Sequence, residues 1–118
     1  MNKENWIGFD LDGTLAIYDK WRGESHIGKP IPEMIEKVKS YIENGFTVKI
    51  FTARVTKGRD NLPKIIQTIE NWCLKHIGRK LEITNIKDYN MLYMYDDRCK
   101  QVIRNKGIIL EEFLNNNA

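Results

Sequence analysis

The feature that most constrains this chain is where its short apolar runs stop. Trp6 to Phe9 stops at Asp10, Phe46 to Phe51 at Thr52, and Met91 to Tyr95 at Asp96-Asp97. Each run has the length and the aromatic or β-branched content of a buried strand. Between them lie stretches of helical period. Pro32 suits a first helical turn, and Met34, Ile35, Val38, Tyr41 and Ile42 then recur on one face until Asn44-Gly45 ends the helix. Asp60 or Asn61 caps a second helix with Pro63 in its first turn. Its apolar stripe is Ile65, Ile66, Ile69, Trp72, Cys73 and Ile77, closed by Gly78. Leu81 to Ile86 reads as a weaker strand. Residues 100–110 read either as a hairpin turning at Asn105-Lys106-Gly107 or as a helix followed by a strand, and Glu111 begins a short terminal helix.

Strands alternating with amphipathic helices predict an α/β chain: a three-layer, Rossmann-like fold with a mainly parallel central sheet covered on both faces. In such a sheet the carboxyl ends of the strands share one edge, and ligands bind there. Asp10, Thr52 and Asp96-Asp97 therefore converge on one crevice although they are far apart in sequence.

At 118 residues the chain is one domain, since two cores would each be marginal. The reading is a single core over residues 1–114, with an irregular, flap-like segment at 15–31 and a disordered tail at 115–118. No apolar run approaches the ~20 residues that span a bilayer, and Met1 to Asn5 leads straight into a strand without a signal-like apolar stretch. These features predict no membrane association and a cytoplasmic protein. Cys73 and Cys99 form no Cys-x-x-Cys pair and read as free thiols, and His26 and His76 are too few for a histidine metal site. The formal charge of +3 suits an anionic partner without requiring one.

The segment Phe9-Asp10-Leu11-Asp12-Gly13-Thr14-Leu15 carries the strongest chemical signal. Asp-x-Asp places two carboxylates on one side of an extended segment, and Gly13 permits a sharp turn as the chain leaves the sheet. This segment resembles the first motif of the haloacid dehalogenase (HAD) superfamily, Asp-x-Asp-Gly-Thr after the first strand. Thr52, in Ile50-Phe51-Thr52-Ala53-Arg54, is similar to the second motif. Lys87 matches the basic third motif and Asp96-Asp97 the acidic fourth, so the resemblance spans residues 6–98. It looks closest to short, capless phosphatase-like members found in phage and bacterial genomes.

The resemblance implies a Mg2+-dependent phosphatase. Asp10 is then the nucleophile that becomes an aspartyl phosphate, and Asp12 the general acid and later the base. Asp10, the Asp12 backbone carbonyl and Asp96 would hold Mg2+, with Asp97 as a direct or indirect ligand. Thr52 would bond a phosphoryl oxygen, and Lys87 would offset charge in the transition state. Lys87 stands only nine positions before Asp96, closer than the family places these motifs, so Lys100 or Arg54 is the alternative cation. A phosphorelay receiver uses similar residues in another order, with its acidic pair early and its phosphorylated Asp in mid-chain; here the acids bracket Thr52 and Lys87.

The gaps from Leu15 to Phe51 and from Ala53 to Ile86 are filled by a loop segment, a helix and a strand each and leave no room for a cap domain, since an insert below about 40 residues seldom folds alone. An open crevice then admits large substrates, and a nucleotide or a terminal phosphate of a nucleic acid is the expected partner. Trp21 can stack on a base, with Arg22 and His26 meeting phosphate or sugar, or can pack beneath its own loop. Arg54, Lys57 and Arg59 form a basic rim beside Thr52 and Ala53, or a merely solvated loop. The reading from another functional class is a non-catalytic phosphate-binding or regulatory module on the same scaffold.

Overall fold

A computed structural model describes residues 4–117. The core is an α/β unit built on four parallel strands: β1 (Trp6–Phe9), β2 (Thr47–Phe51), β3 (Glu82–Thr84) and β4 (Met91–Tyr95), arranged β3-β2-β1-β4. Helix α1 (Pro32–Glu43) links β1 to β2, and α2 (Leu62–His76) links β2 to β3. Both start with a proline in the first turn, where its missing N–H costs nothing. α1 ends at Gly45, whose φ of +84° is open to glycine, and the Phe46 amide bonds back to the Tyr41 carbonyl at 3.0 Å.

The two crossovers progress in the same direction across the sheet, so right-handed connection places both helices on one face. That face holds the core. Ile7, Phe9, Val48 and Ile50 project from the strands and pack with Ile35 and Val38 of α1 and with Ile65, Ile69 and Cys73 of α2. Tyr95 stacks on Phe9 with ring centres 4.5 Å apart, and its hydroxyl meets that of Tyr41.

The second face has a thinner layer. Six residues, 85–90, carry the chain from β3 across to β4, too few for a helix of more than one turn. This face is built from side chains instead. Trp6 lies 1% exposed beside Phe51 and under the Lys49 ammonium, and its indole N–H donates to Asp88 of the crossing loop at 2.8 Å.

One irregularity sets the geometry of the sheet's upper edge. Trp6 pairs with Met91 but Ile7 pairs with Tyr93, so Leu92 is passed over and the register of β4 advances by one residue. Phe9 consequently lies opposite Tyr95, and the next residues on both strands are Asp10 and Asp96.

Residues beyond the sheet resolve the alternatives left open at 100–110 in favour of a hairpin, β5 (Val102–Ile103) against β6 (Ile108–Ile109). The terminal helix α3 (Leu110–Asn116) runs through Asn115 and Asn116, two residues read from sequence as part of a disordered tail. Helical bonding carries past the last apolar residue, and the Asn117 amide and side chain both return to the Phe113 carbonyl. Ala118, the last residue of that tail, lies outside the described residues. Among the described residues no helix is long and apolar enough to cross a membrane.

The core should therefore respond to truncation and the hairpin should not. Ile50→Ala, at a fully buried site, is expected to cost about 2–5 kcal/mol in urea unfolding. Val102→Ala, at a site 56% exposed, is expected to stay within about 0.5 kcal/mol of the parent.

Candidate functional site

Two backbone hydrogen bonds extend the sheet by one residue and place the strand-end groups side by side. The Asp10 amide donates to the Tyr95 carbonyl at 2.9 Å, and the Thr52 amide donates to the Thr84 carbonyl at 2.9 Å. Asp96 and Asp97 leave β4 at the same edge. Carboxylate oxygens of Asp10, Asp96 and Asp97 lie within 4.8 Å of one another.

The turn after β1 is built to hold the last of these. Gly13 adopts φ +90°, and a Cβ there would lie 2.5 Å from Asp97 Oδ2, so both the backbone and the carboxylate require glycine. Thr14, which is buried, accepts from the Asp97 amide at 3.0 Å and donates from the same hydroxyl to Asp97 Oδ1 at 3.3 Å. The fixing role of Thr14 was not assigned from sequence. Its place in the Asp-x-Asp-Gly-Thr segment was the available signal.

Three clustered carboxylates make a strongly negative environment. Burial pushes Asp10 up to about 7 from its usual 3.8, and a hydrogen bond with Asp97 and the field of Asp96 push the same way. The donor set is all oxygen and its charges are mutually repulsive, which fits a hard divalent cation such as Mg2+ or Ca2+. Asp10, Asp96 and Asp97 are the side chains that would hold it. The Asp12 carboxylate points elsewhere. It accepts two hydrogen bonds from the Arg54 guanidinium, Nε to Oδ2 at 2.7 Å and Nη2 to Oδ1 at 2.8 Å.

Thr52 is buried and caps a single 3-10 turn, Ala53–Val55, its hydroxyl oxygen accepting from the Arg54 amide at 3.2 Å. That bond leaves the hydroxyl hydrogen available to a ligand in the crevice. The crevice has a volume of about 700 Å3. Asp10, Asp12, Thr52, Ala53, Arg54, Asp96 and Asp97 all line it, as does Trp21 from the flap-like segment.

Lys87, Arg22, His26 and Lys57, all offered for the site by the sequence, are not among the residues lining the crevice. Lys87 is exposed on the loop from β3 to β4. The physical reason is the short crossover: β3 ends at Thr84, whose hydroxyl accepts from the Ile86 amide, and the chain turns away with no helix to return a lysine to the edge. Arg22 is exposed and paired with Asp19 within its own loop. The alternative Lys100 is bound to Glu111. The cations that do line the crevice are Arg54, Arg59 and Arg98. Arg59 was read only as part of a basic rim, and Arg98 was missed, although it directly follows the acidic pair at a strand end. Tyr18 lines the crevice as well.

No protein-family model matches the chain, and no curated protein matches it. A solved structure of a conserved protein from Bacteroides thetaiotaomicron is similar over 95% of this chain and 90% of that one, at 20% identity and a TM-score of 0.52. The likeness is one of fold.

The raised Asp10 gives a signed pH dependence. Between 3.8 and about 7 the folded protein holds a proton that the unfolded chain has released, so stability falls as pH rises through that window. Metal-free protein is expected to lose thermal stability from pH 4.5 to 7.5, by about a few degrees. Asp10→Asn should flatten this trend, and millimolar Mg2+ at pH 7.5 should reverse it in the parent protein but not in the variant. Melting curves with chelator and with Mg2+ measure both effects.

Proposed function

We propose that the protein is a Mg2+-dependent phosphomonoester hydrolase of the HAD type, acting through an aspartyl phosphate on Asp10. The observation that carries this reading is the cluster of Asp10, Asp96 and Asp97 at the carboxyl edge of the sheet, with Thr52 beside it at the end of the next strand. The HAD-like order of these residues in sequence supports it further. A bound Mg2+ would supply the positive charge that lets a carboxylate approach a phosphate group.

In this mechanism an Asp10 carboxylate oxygen attacks phosphorus opposite the leaving oxygen. The new O–P bond forms as the P–O bond to the leaving group breaks, and the electron pair departs on that oxygen. Asp12, two residues on, delivers the proton that the leaving oxygen needs. It then takes a proton from water as the water attacks the phosphorus of the aspartyl phosphate, which releases inorganic phosphate and restores Asp10. Thr52 donates its hydroxyl hydrogen to a phosphoryl oxygen. Arg98 and Arg59, on the crevice wall, offset the remaining charge in place of Lys87.

The crevice also suggests the substrate class. An aromatic pair, Tyr18 and Trp21, stands at about half exposure alongside Arg59 and Arg98. Aromatic faces with neighbouring cations suit a base and its phosphate, so a nucleotide or a nucleic-acid terminal phosphate is the preferred substrate.

A panel of mononucleotides, end-phosphorylated oligonucleotides, phosphopeptides and sugar phosphates tests the proposal with Mg2+ and with chelator. Release of inorganic phosphate should require Mg2+ and vanish in Asp10→Asn. Asp12→Asn should lower kcat by about 10²–10⁴-fold. Turnover that survives Asp10→Asn would overturn the nucleophile assignment. Phosphate or nucleotide binding without turnover of any substrate would instead indicate a binding module.

A further inference from the structure

The Arg54 side chain is 5% exposed and carries a full charge, so every contact it makes bears on its stability. Its partners belong to two different parts of the molecule. Two N–H groups form the fork on Asp12 already described. The guanidinium also donates to the His26 carbonyl at 2.8 Å and the Glu24 carbonyl at 3.3 Å, and its centre lies 4.9 Å from the Trp21 ring. Glu24, His26 and Trp21 all belong to the excursion between β1 and α1.

That excursion has a fixed base and a separately held tip. At the base, Ile17 bonds to Lys29 and Ile31 to Leu15 at 2.8 Å each, and the Trp72 indole N–H donates to the Gly28 carbonyl. Among the described residues, the hydrogen bonds that tie residues 18–26 to the rest of the protein come from Arg54, and Arg59 adds one ion pair to Glu24 at 3.6 Å. The tip's other bonds, Arg22 to Asp19 and the His26 amide to the Gly23 carbonyl, are internal.

We propose that Arg54 is a positioning residue that latches the 18–26 tip to Asp12, so that the tip and the carboxylate change state together. With the tip down, both Asp12 oxygens accept from one planar fork, which fixes the direction in which the carboxylate points. Lifting the tip withdraws two carbonyls and an aromatic face from the guanidinium, which loses the contacts that hold it in place, so the fork on Asp12 loosens and Asp12 can turn toward the leaving oxygen. Displacing Asp12 loosens the tip by the same linkage. The coupling stands on geometry alone; its catalytic consequence rests on the acid and base role proposed for Asp12.

The test reads the tip directly. Lys20 and Arg22 are exposed trypsin sites within it, and Trp21 is 49% exposed whereas Trp6 and Trp72 are 1% and 7% exposed. Cleavage after residues 20 and 22, and acrylamide quenching of tryptophan, therefore report tip opening. Asp12→Asn, outside the tip, is expected to raise the cleavage rate about ten-fold, the effect of losing one charge-assisted hydrogen bond. Arg54→Lys, which keeps the charge and loses the fork, should do the same, and the double variant should add little to either. Unfolding in urea, followed by circular dichroism, separates tip opening from global loss of structure.

Cleavage and quenching that match the parent in a folded Asp12→Asn protein would overturn the latch, even if the protein is an active phosphatase. Tip opening in Asp12→Asn without any phosphatase activity in the parent would uphold the latch and sink the hydrolase reading. In an active protein, Arg54→Lys should lower kcat more than it raises KM. The loss should be larger for an alkyl phosphate than for p-nitrophenyl phosphate, whose leaving group needs little protonation. Equal losses on both substrates would reject a role through Asp12.

Discussion

Like charges crowded at one edge of a sheet are the constraint on which the rest of the structure turns. Asp10, Asp96 and Asp97 oppose one another, and burial adds to the cost for Asp10. The fold meets that cost with rigid supports. Asp10 and Asp96 each follow a strand directly, in a sheet whose helical face is densely filled by Ile7, Phe9, Val48 and Ile50. Asp97 is gripped by the Thr14 hydroxyl and admitted by the missing side chain of Gly13. Core packing and site geometry are thus one problem: residues that bury the sheet also fix the positions of the carboxylates.

The positive side of the site is held differently. Arg54 comes from a short turn and reaches Asp12 beneath the excursion after β1, whose carbonyls it also binds. Its charge is compensated by groups contributed from sequence positions 12, 24 and 26, so the turn after β2 and the excursion after β1 share one buried guanidinium. The acidic cluster rests on strand ends, whereas Asp12 and Arg54 rest on loops. That division separates a charge cage built on strand ends from a rim built on loops around one crevice.

Much of this was legible in the sequence, and the reason is periodicity. Apolar runs broken by Asp10, Thr52 and Asp96 state both where strands end and which edge they share, and Pro32, Gly45, Pro63 and Gly78 mark the helix limits. Side-chain direction has no such signature. Arg54 could be read as a rim cation or as a substitute for Lys87, because nothing local says that it turns inward onto Asp12. Lys87 looked suitable by order along the chain, but a six-residue crossover leaves it outside the crevice. Arg98 escaped notice because its neighbours Asp96 and Asp97 dominated the pattern. The hairpin at 102–109 was ambiguous because two-residue strands carry too little alternation to be told from a helix.

The irregular pairing at Leu92 has a consequence for how the chain can vary. Were β4 in simple register with β1, Met94 would stand opposite Phe9, and Asp10 would face Tyr95 instead of Asp96. The passed-over residue works as a vernier that aligns two carboxylates belonging to strands entered from different loops. Residues gained in the 85–87 stretch lengthen the path to the strand and leave untouched the bonds that Asp88 and Asn90 make with Trp6. A single residue lost or gained between Tyr93 and Asp96 would carry the acidic pair to the opposite face of the sheet while leaving the hydrophobic content almost unchanged. The tolerance of this chain to insertions therefore changes abruptly at Leu92, with a permissive side before it and a strictly counted side after it.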